Sequence, residues 1–165
     1  MILVDSSVWV DHLRSGNATL ARMLDNGRVL AHPFVTGELA LGNLRQRELI
    51  LAALQDLPQA VVAGETEVLG FIDRQGLYGR GIGYVDAHLL ASARLTSGGS
   101  LWTRDKRLQT VADRLGVSAV LCGGANTGAG VPRRALPSTG TPPFQPPSMP
   151  WASLQPRTLP TKVGT

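Results

Sequence analysis

Short apolar runs alternate with longer segments of helical periodicity through the first 121 residues. Ile2-Leu3-Val4, Val29-Leu30-Ala31, Val61-Val62-Ala63, Ser100-Leu101-Trp102-Thr103 and Val117 to Leu121 read as five short strands. Between them, residues 6–14, 17–26, 33–41, 45–55, 65–74, 85–95 and 106–115 read as helices. Ser15-Gly16 separates the first two, and Pro33 suits a first helical turn. Gly76, Gly79, Gly81 and Gly83 mark a loop. Strands that alternate with helices predict βαβ units. The expected fold class is therefore α/β, a three-layer sandwich with a central parallel sheet flanked by helices.

The pattern stops near residue 121. Residues 122–165 hold nine of the eleven prolines, many Gly, Ser and Thr, and no periodicity of 2 or 3.6. Such a stretch buries too little apolar surface to offset its ordering entropy. It is expected to be a disordered or extended tail behind a domain at 1–121.

Charge follows the same boundary. Residues 1–121 hold twelve Lys/Arg and twelve Asp/Glu, whereas Arg133, Arg134, Arg157 and Lys162 face no acid in the tail. The formal charge of +4 and the pI of about 10.0 thus describe the tail. They say little about nucleic-acid binding by the domain. Cys122 is the sole cysteine, which excludes an intrachain disulfide. No run approaches the ~18 apolar residues of a membrane span, and the first residues lack the basic segment of a signal peptide. A cytoplasmic protein is expected.

In parallel α/β sheets, sites form beyond the carboxyl ends of the strands. Asp5 directly follows the first strand and Asp105 lies two residues past Thr103. Asp86 stands in the first turn of its helix, and Glu38 lies between Phe34-Val35 and Leu39, where an unpaired acid in an apolar surround is costly. Each has an ordinary alternative. Asp5 and Asp105 can cap helices, Asp86 can complement a helix dipole, and Glu38 can pair with Arg45. Convergence of all four at one sheet edge changes the balance, because like charges there repel unless a cation neutralises them. Hard divalent cations with oxygen ligands answer that need, and Mg²⁺ suits phosphodiester hydrolysis. Ser6 and Thr103 are candidate supporting contacts. Arg14, Arg45, Arg47, Arg80, Arg104, Lys106 and Arg107 are candidate phosphate contacts.

Rival chemistries lack their motifs. An Asp-x-Asp phosphoaspartyl site is absent, since Ser7 occupies the third position, and the glycines at 76–83 do not form G-x-G-x-x-G after a strand.

Ile2-Leu3-Val4-Asp5-Ser6-Ser7-Val8-Trp9 resembles the opening of PIN domains. Pro33 to Gly42 with Glu38-Leu39, Tyr84-Val85-Asp86-Ala87-His88-Leu89-Leu90-Ala91, and Leu101-Trp102-Thr103-Arg104-Asp105-Lys106-Arg107-Leu108 resemble the family's later acidic motifs, in order. The resemblance is to VapC-type PIN ribonuclease toxins. It implies a Mg²⁺- or Mn²⁺-dependent endoribonuclease holding metal through Asp5, Glu38, Asp86 and Asp105, with an RNA substrate, a VapB-like antitoxin and a homodimeric state. A PIN-fold module that acts only within an antitoxin complex at operator DNA is the alternative. The resemblance does not extend past Leu121.

Overall fold

β1 (Ile2–Val4) lies between β2 (Val29–Leu30) and β3 (Ser100–Trp102) in a parallel sheet of order β2-β1-β3. This is the arrangement of the computed structural model, which describes residues 1–121. Cys122 and the proline-rich segment lie outside the described residues. Ile2, Leu3 and Val4 are all buried. Both faces of the central strand are therefore covered, as expected of a parallel sheet between helices. The register sets Leu3 beside Leu30 on one side and Leu101 on the other, and Val4 beside Trp102.

Seven helices flank the sheet among the described residues: α1 (Ser6–Ser15), α2 (Ala18–Asp25), α3 (Pro33–Ala40), α4 (Arg47–Asp56), α5 (Glu65–Gln75), α6 (Tyr84–Leu95) and α7 (Lys106–Leu115). The α/β class is as expected. α6 is distinctive, because Ala87 to Ala93 are buried without interruption. A helix apolar all round belongs inside a core, and α6 packs on β1, β3 and α5. Trp9, Leu20, Leu54, Leu89, Leu90 and Leu108 are among the fully buried side chains of the core.

Two expected strands are reduced to single parallel bridges. Gln59 bridges Ala31 and Ser118 bridges Leu101, so each extends an edge of the sheet by one residue pair. Val61-Val62-Ala63 is not a strand. Ala60 and Ala63 are buried while Val61 and Val62 are half exposed, and this spacing of three cannot lie on a two-residue pleat. The ladder bonds are made earlier, from Ala31 N–H to the Pro58 carbonyl and from Ala60 N–H to the Ala31 carbonyl, both 2.9 Å. At the other edge Leu101 N–H donates to the Val117 carbonyl and Ala119 N–H to the Leu101 carbonyl.

The turn from α6 into β3 leaves no room at Gly99. A Cβ there would lie 2.5 Å from the Ala93 carbonyl oxygen and 2.8 Å from that of Thr96. Gly37, inside α3, has open space around it. Gly99→Ala should therefore destabilise by about 1–3 kcal/mol. Gly37→Ala should stabilise by about 0.5–1 kcal/mol, since a mid-helix glycine is costly relative to alanine. Urea unfolding of the two variants beside the parent checks both signs.

Candidate active site

Asp5 continues the β1–β3 ladder one residue beyond the strand, its N–H donating to the Trp102 carbonyl at 3.0 Å. It stands at the N-cap of α1 but makes no side-chain cap bond. Its carboxylate is buried and turned toward the loop after β3. Ser7 Oγ (2.5 Å) and Thr103 Oγ1 (2.8 Å) both donate to Asp5 Oδ2. Each hydroxyl also accepts a backbone N–H, Ser7 from Arg104 at 3.1 Å and Thr103 from Asp105 at 3.0 Å. Among the described residues, Asp5 Oδ1 takes only Ser6 Oγ, at 3.3 Å.

Asp86 and Asp105 do cap their helices, each through one oxygen. Asp86 Oδ2 accepts the Gly83 N–H at 2.7 Å. Asp105 Oδ1 accepts from the Arg107 and Leu108 N–H groups at 2.7 and 3.1 Å. Among the described residues, no hydrogen bond reaches the second oxygen of either. Glu38 is exposed on α3, because Val35 and Leu39 take the inward positions of that helix. The apolar surround expected for it is not found.

The four acids share one electrostatic neighbourhood. Burial raises the Asp86 carboxyl above its ordinary range, and the charges of Asp5, Asp105 and Glu38 raise it further against the Gly83 N–H. No basic side chain among the described residues neutralises them. The one ion pair there, Arg104 with Asp11, is at the surface. Arg45 does not pair with Glu38. Arg47, Arg80 and Arg107 reach the backbone carbonyls of Ala40, Gly76 and Gly81. Among the described residues, no three His, Cys, Asp or Glu side chains already close around a single ion position. The donor chemistry nevertheless fits a hard divalent cation. In all three aspartates, protein N–H or O–H groups hold one oxygen and leave the other with at most a 3.3 Å contact. Outer partners of a metal ligand hold it in this way.

The family model for the PIN domain matches residues 2–114. The chain is also 48% identical over 118 residues to Ribonuclease VapC32 of Mycobacterium tuberculosis, in strains CDC 1551 / Oshkosh and ATCC 25618 / H37Rv. The match spans 72% of this chain and 95% of that protein. The chain is a PIN-domain protein of the VapC type.

Within this PIN domain, Ser7 is the contact that sequence reading missed. Ser6 was the expected support, yet Ser7 makes the shorter bond. The available signal was its place two residues after Asp5, on the first turn of α1. Thr103 is found where expected, on Asp5. The histidines are structural in their contacts. His12 Nδ1 accepts the Asn17 N–H. His88 is buried and packs edge-on against Phe34 and Tyr84, each with centroids at 4.6 Å. His32 is fully buried. Its Nδ1 accepts the Phe34 N–H and its Nε2 meets Ser92 Oγ at 3.0 Å.

Burial, then the nearby His88, lowers the His32 pKa from 6.5 to about 4. The unfolded chain therefore takes up this proton first. The stabilisation is complete above about pH 6.5 and is lost as pH falls toward about 4, up to roughly 3 kcal/mol. Asp86, shifted upward, acts in the opposite sense over the carboxylate range. Urea unfolding of the metal-free protein at pH 7 and pH 4.5 should give a larger stability loss for the parent than for His32→Asn. Equal losses would remove His32 as the titrating group.

Proposed function

We propose that this chain is a Mg²⁺-dependent endoribonuclease, with Mn²⁺ as a substitute, and the toxin of a VapBC-type pair. The observation that carries the proposal is the half-engaged state of Asp5, Asp86 and Asp105 beside Glu38, with no basic group among the described residues to neutralise them. Asp5 and Asp86 are the primary ligands, one fixed at a strand end and one in the first turn of a buried helix. Glu38 reaches the same centre from α3 with a longer side chain. Asp105 completes a second position or acts through an outer contact. Once bound, the cation supplies a Lewis acid for a phosphate oxygen and a lowered pKa for a water. The protein's own part is to orient the ligand oxygens through Ser7, Thr103 and the Gly83, Arg107 and Leu108 amides. Exposed Arg45, Lys106 and Arg107 are available to the phosphate backbone.

The substrate is a cellular RNA (transfer, ribosomal or messenger). The setting is the cytoplasm, the state a homodimer, and the partner a VapB-like antitoxin whose basic side chain would be favoured beside uncompensated acids. The full set of acids and the ribonuclease relative favour catalysis over a purely DNA-bound role.

Purified protein stripped of metal should cleave RNA only after Mg²⁺ or Mn²⁺ is added. Cleavage unchanged in excess EDTA would overturn the proposal.

Asp5→Asn and Asp86→Asn should each lose on the order of 100-fold in cleavage or more, beyond the usual loss for an outer contact. Asp86→Asn should also hold or raise the metal-free melting temperature. It removes a half-buried charge from among three like charges, while its side-chain oxygen can still cap Gly83. Near-native cleavage by either variant, or unfolding of metal-free Asp86→Asn, would make these acids structural.

A further inference from the structure

α3 carries Glu38 and α6 carries Asp86, and the two helices meet through side chains. His32, the N-cap of α3, bonds Ser92 in the second half of α6. Two residues along α3, Phe34 packs edge-on against His88, one turn back along α6. His32 and Phe34 also meet edge-on, with centroids 5.3 Å apart, and His88 continues to Tyr84. An advance of two residues along α3 thus goes with a retreat of four along α6, so the two helices run in opposite senses at this contact. Glu38 lies six residues past His32, and Asp86 lies six residues before Ser92, about 9 Å along each helix axis. Glu38 and Asp86 thus both lie on the same side of the His32–Ser92 contact, and the Glu38 charge contributes to the upward shift of Asp86.

Resting on the metal-nuclease reading above, we propose that His32 and Ser92 are positioning residues. Their bond is the joint that sets the separation of Glu38 and Asp86 for the cation. The imidazole is suited to the task because both nitrogens are engaged in different directions. Nδ1 takes the Phe34 N–H and so fixes the start of α3, which leaves the ring proton on Nε2 for Ser92 Oγ. The ring is completely buried and flanked by Phe34, so it has little freedom to turn. Ser92 is equally buried on the most enclosed helix of the domain. One bond thereby transfers the rigidity of α6 to a short helix whose acid is exposed. Outer contacts to metal ligands commonly tune affinity in this way without touching the ion.

The test uses the full chain. Ser92→Ala breaks the joint from one side. His32→Asn breaks it from the other, because the shorter side chain still caps Phe34 but does not reach α6. Leu24→Ala, an apolar loss on α2 away from the joint, serves as the destabilised control. Mn²⁺ affinity is measured by titration, and amide exchange is followed over residues 36–40 in the metal-free proteins. Each joint variant should bind Mn²⁺ roughly 10-fold more weakly and exchange faster over 36–40. The double variant should be no worse than the poorer single one, since both act through one bond. Leu24→Ala should change neither readout. Unchanged Mn²⁺ affinity in folded Ser92→Ala and His32→Asn overturns the joint, as does an equal loss in Leu24→Ala. Faster exchange in a protein whose parent binds no Mn²⁺ overturns the metal reading, and the positioning role with it. Unchanged exchange with normal Mn²⁺ binding by the parent and variants overturns the joint alone.

Discussion

Two hydroxyl groups converge on Asp5 Oδ2, and the candidate site is built outward from that point. A buried carboxylate without donors is expensive, so Ser7 and Thr103 are conditions for placing Asp5 at the end of the central strand. Each hydroxyl accepts a backbone N–H from the loop after β3 before donating to Asp5. The end of β1, the first turn of α1 and the start of α7 are thereby one unit. Asp105 belongs to it through its own N–H on Thr103, although its side chain never touches Asp5 by a hydrogen bond. Asp86 is held separately by α6, which packs on both β1 and β3. Three aspartates are thus fixed relative to one small parallel sheet, whereas Glu38 stands on α3, which packs against α1 and α4.

The parts of this arrangement that were legible in the sequence are those set by local pattern. Ile2-Leu3-Val4 followed by Asp5, the glycine loop ahead of Asp86 and Thr103 ahead of Asp105 all place acids at the carboxyl edge of parallel strands, and the sheet order agrees. The misread segments are those where composition and environment diverge. Val61 and Val62 have strand-forming side chains but lie half exposed, while the backbone pairing occurs at Gln59. Glu38 sits among apolar letters, yet the helical period turns Val35 and Leu39 inward and leaves it outside. The Arg104–Ser7 contact and the His32–Ser92 bond were not legible. Their partners are 97 and 60 residues apart, and no periodicity records a contact that only the fold creates.

Capping and metal binding were weighed in the sequence as competing explanations for the aspartates. The structure shows why they need not compete. A carboxylate offers two oxygens and about four acceptor sites. A helix cap uses one oxygen and, in doing so, fixes the plane of the group. Asp86 and Asp105 cap with one oxygen and keep the other. The cap thus supplies the orientation that a ligand requires, at no added cost to the fold. Asp5 separates the two roles, because it occupies a cap position and makes no cap bond. Its side chain is committed to the hydroxyls instead, so helix capping does not account for it.

The charge balance of the domain links these acids to the polymer they are proposed to cleave. Residues 1–121 are neutral in formal count only because four of their twelve acids sit in this cluster. Without a cation, those four repel a phosphate backbone at the very edge where it must approach. On the proposed reading, a divalent cation would offset two of those four charges, leaving twelve basic residues against an effective ten and weakening the field that opposes the exposed Lys106 and Arg107 beside Asp105. Phosphate attraction and cation binding then favour one another through the same electrostatic neighbourhood, a reciprocity that holds for any two ligands coupled at equilibrium. On the proposed reading, a domain with no net charge would draw an RNA backbone to this edge more strongly with the cation bound than without it.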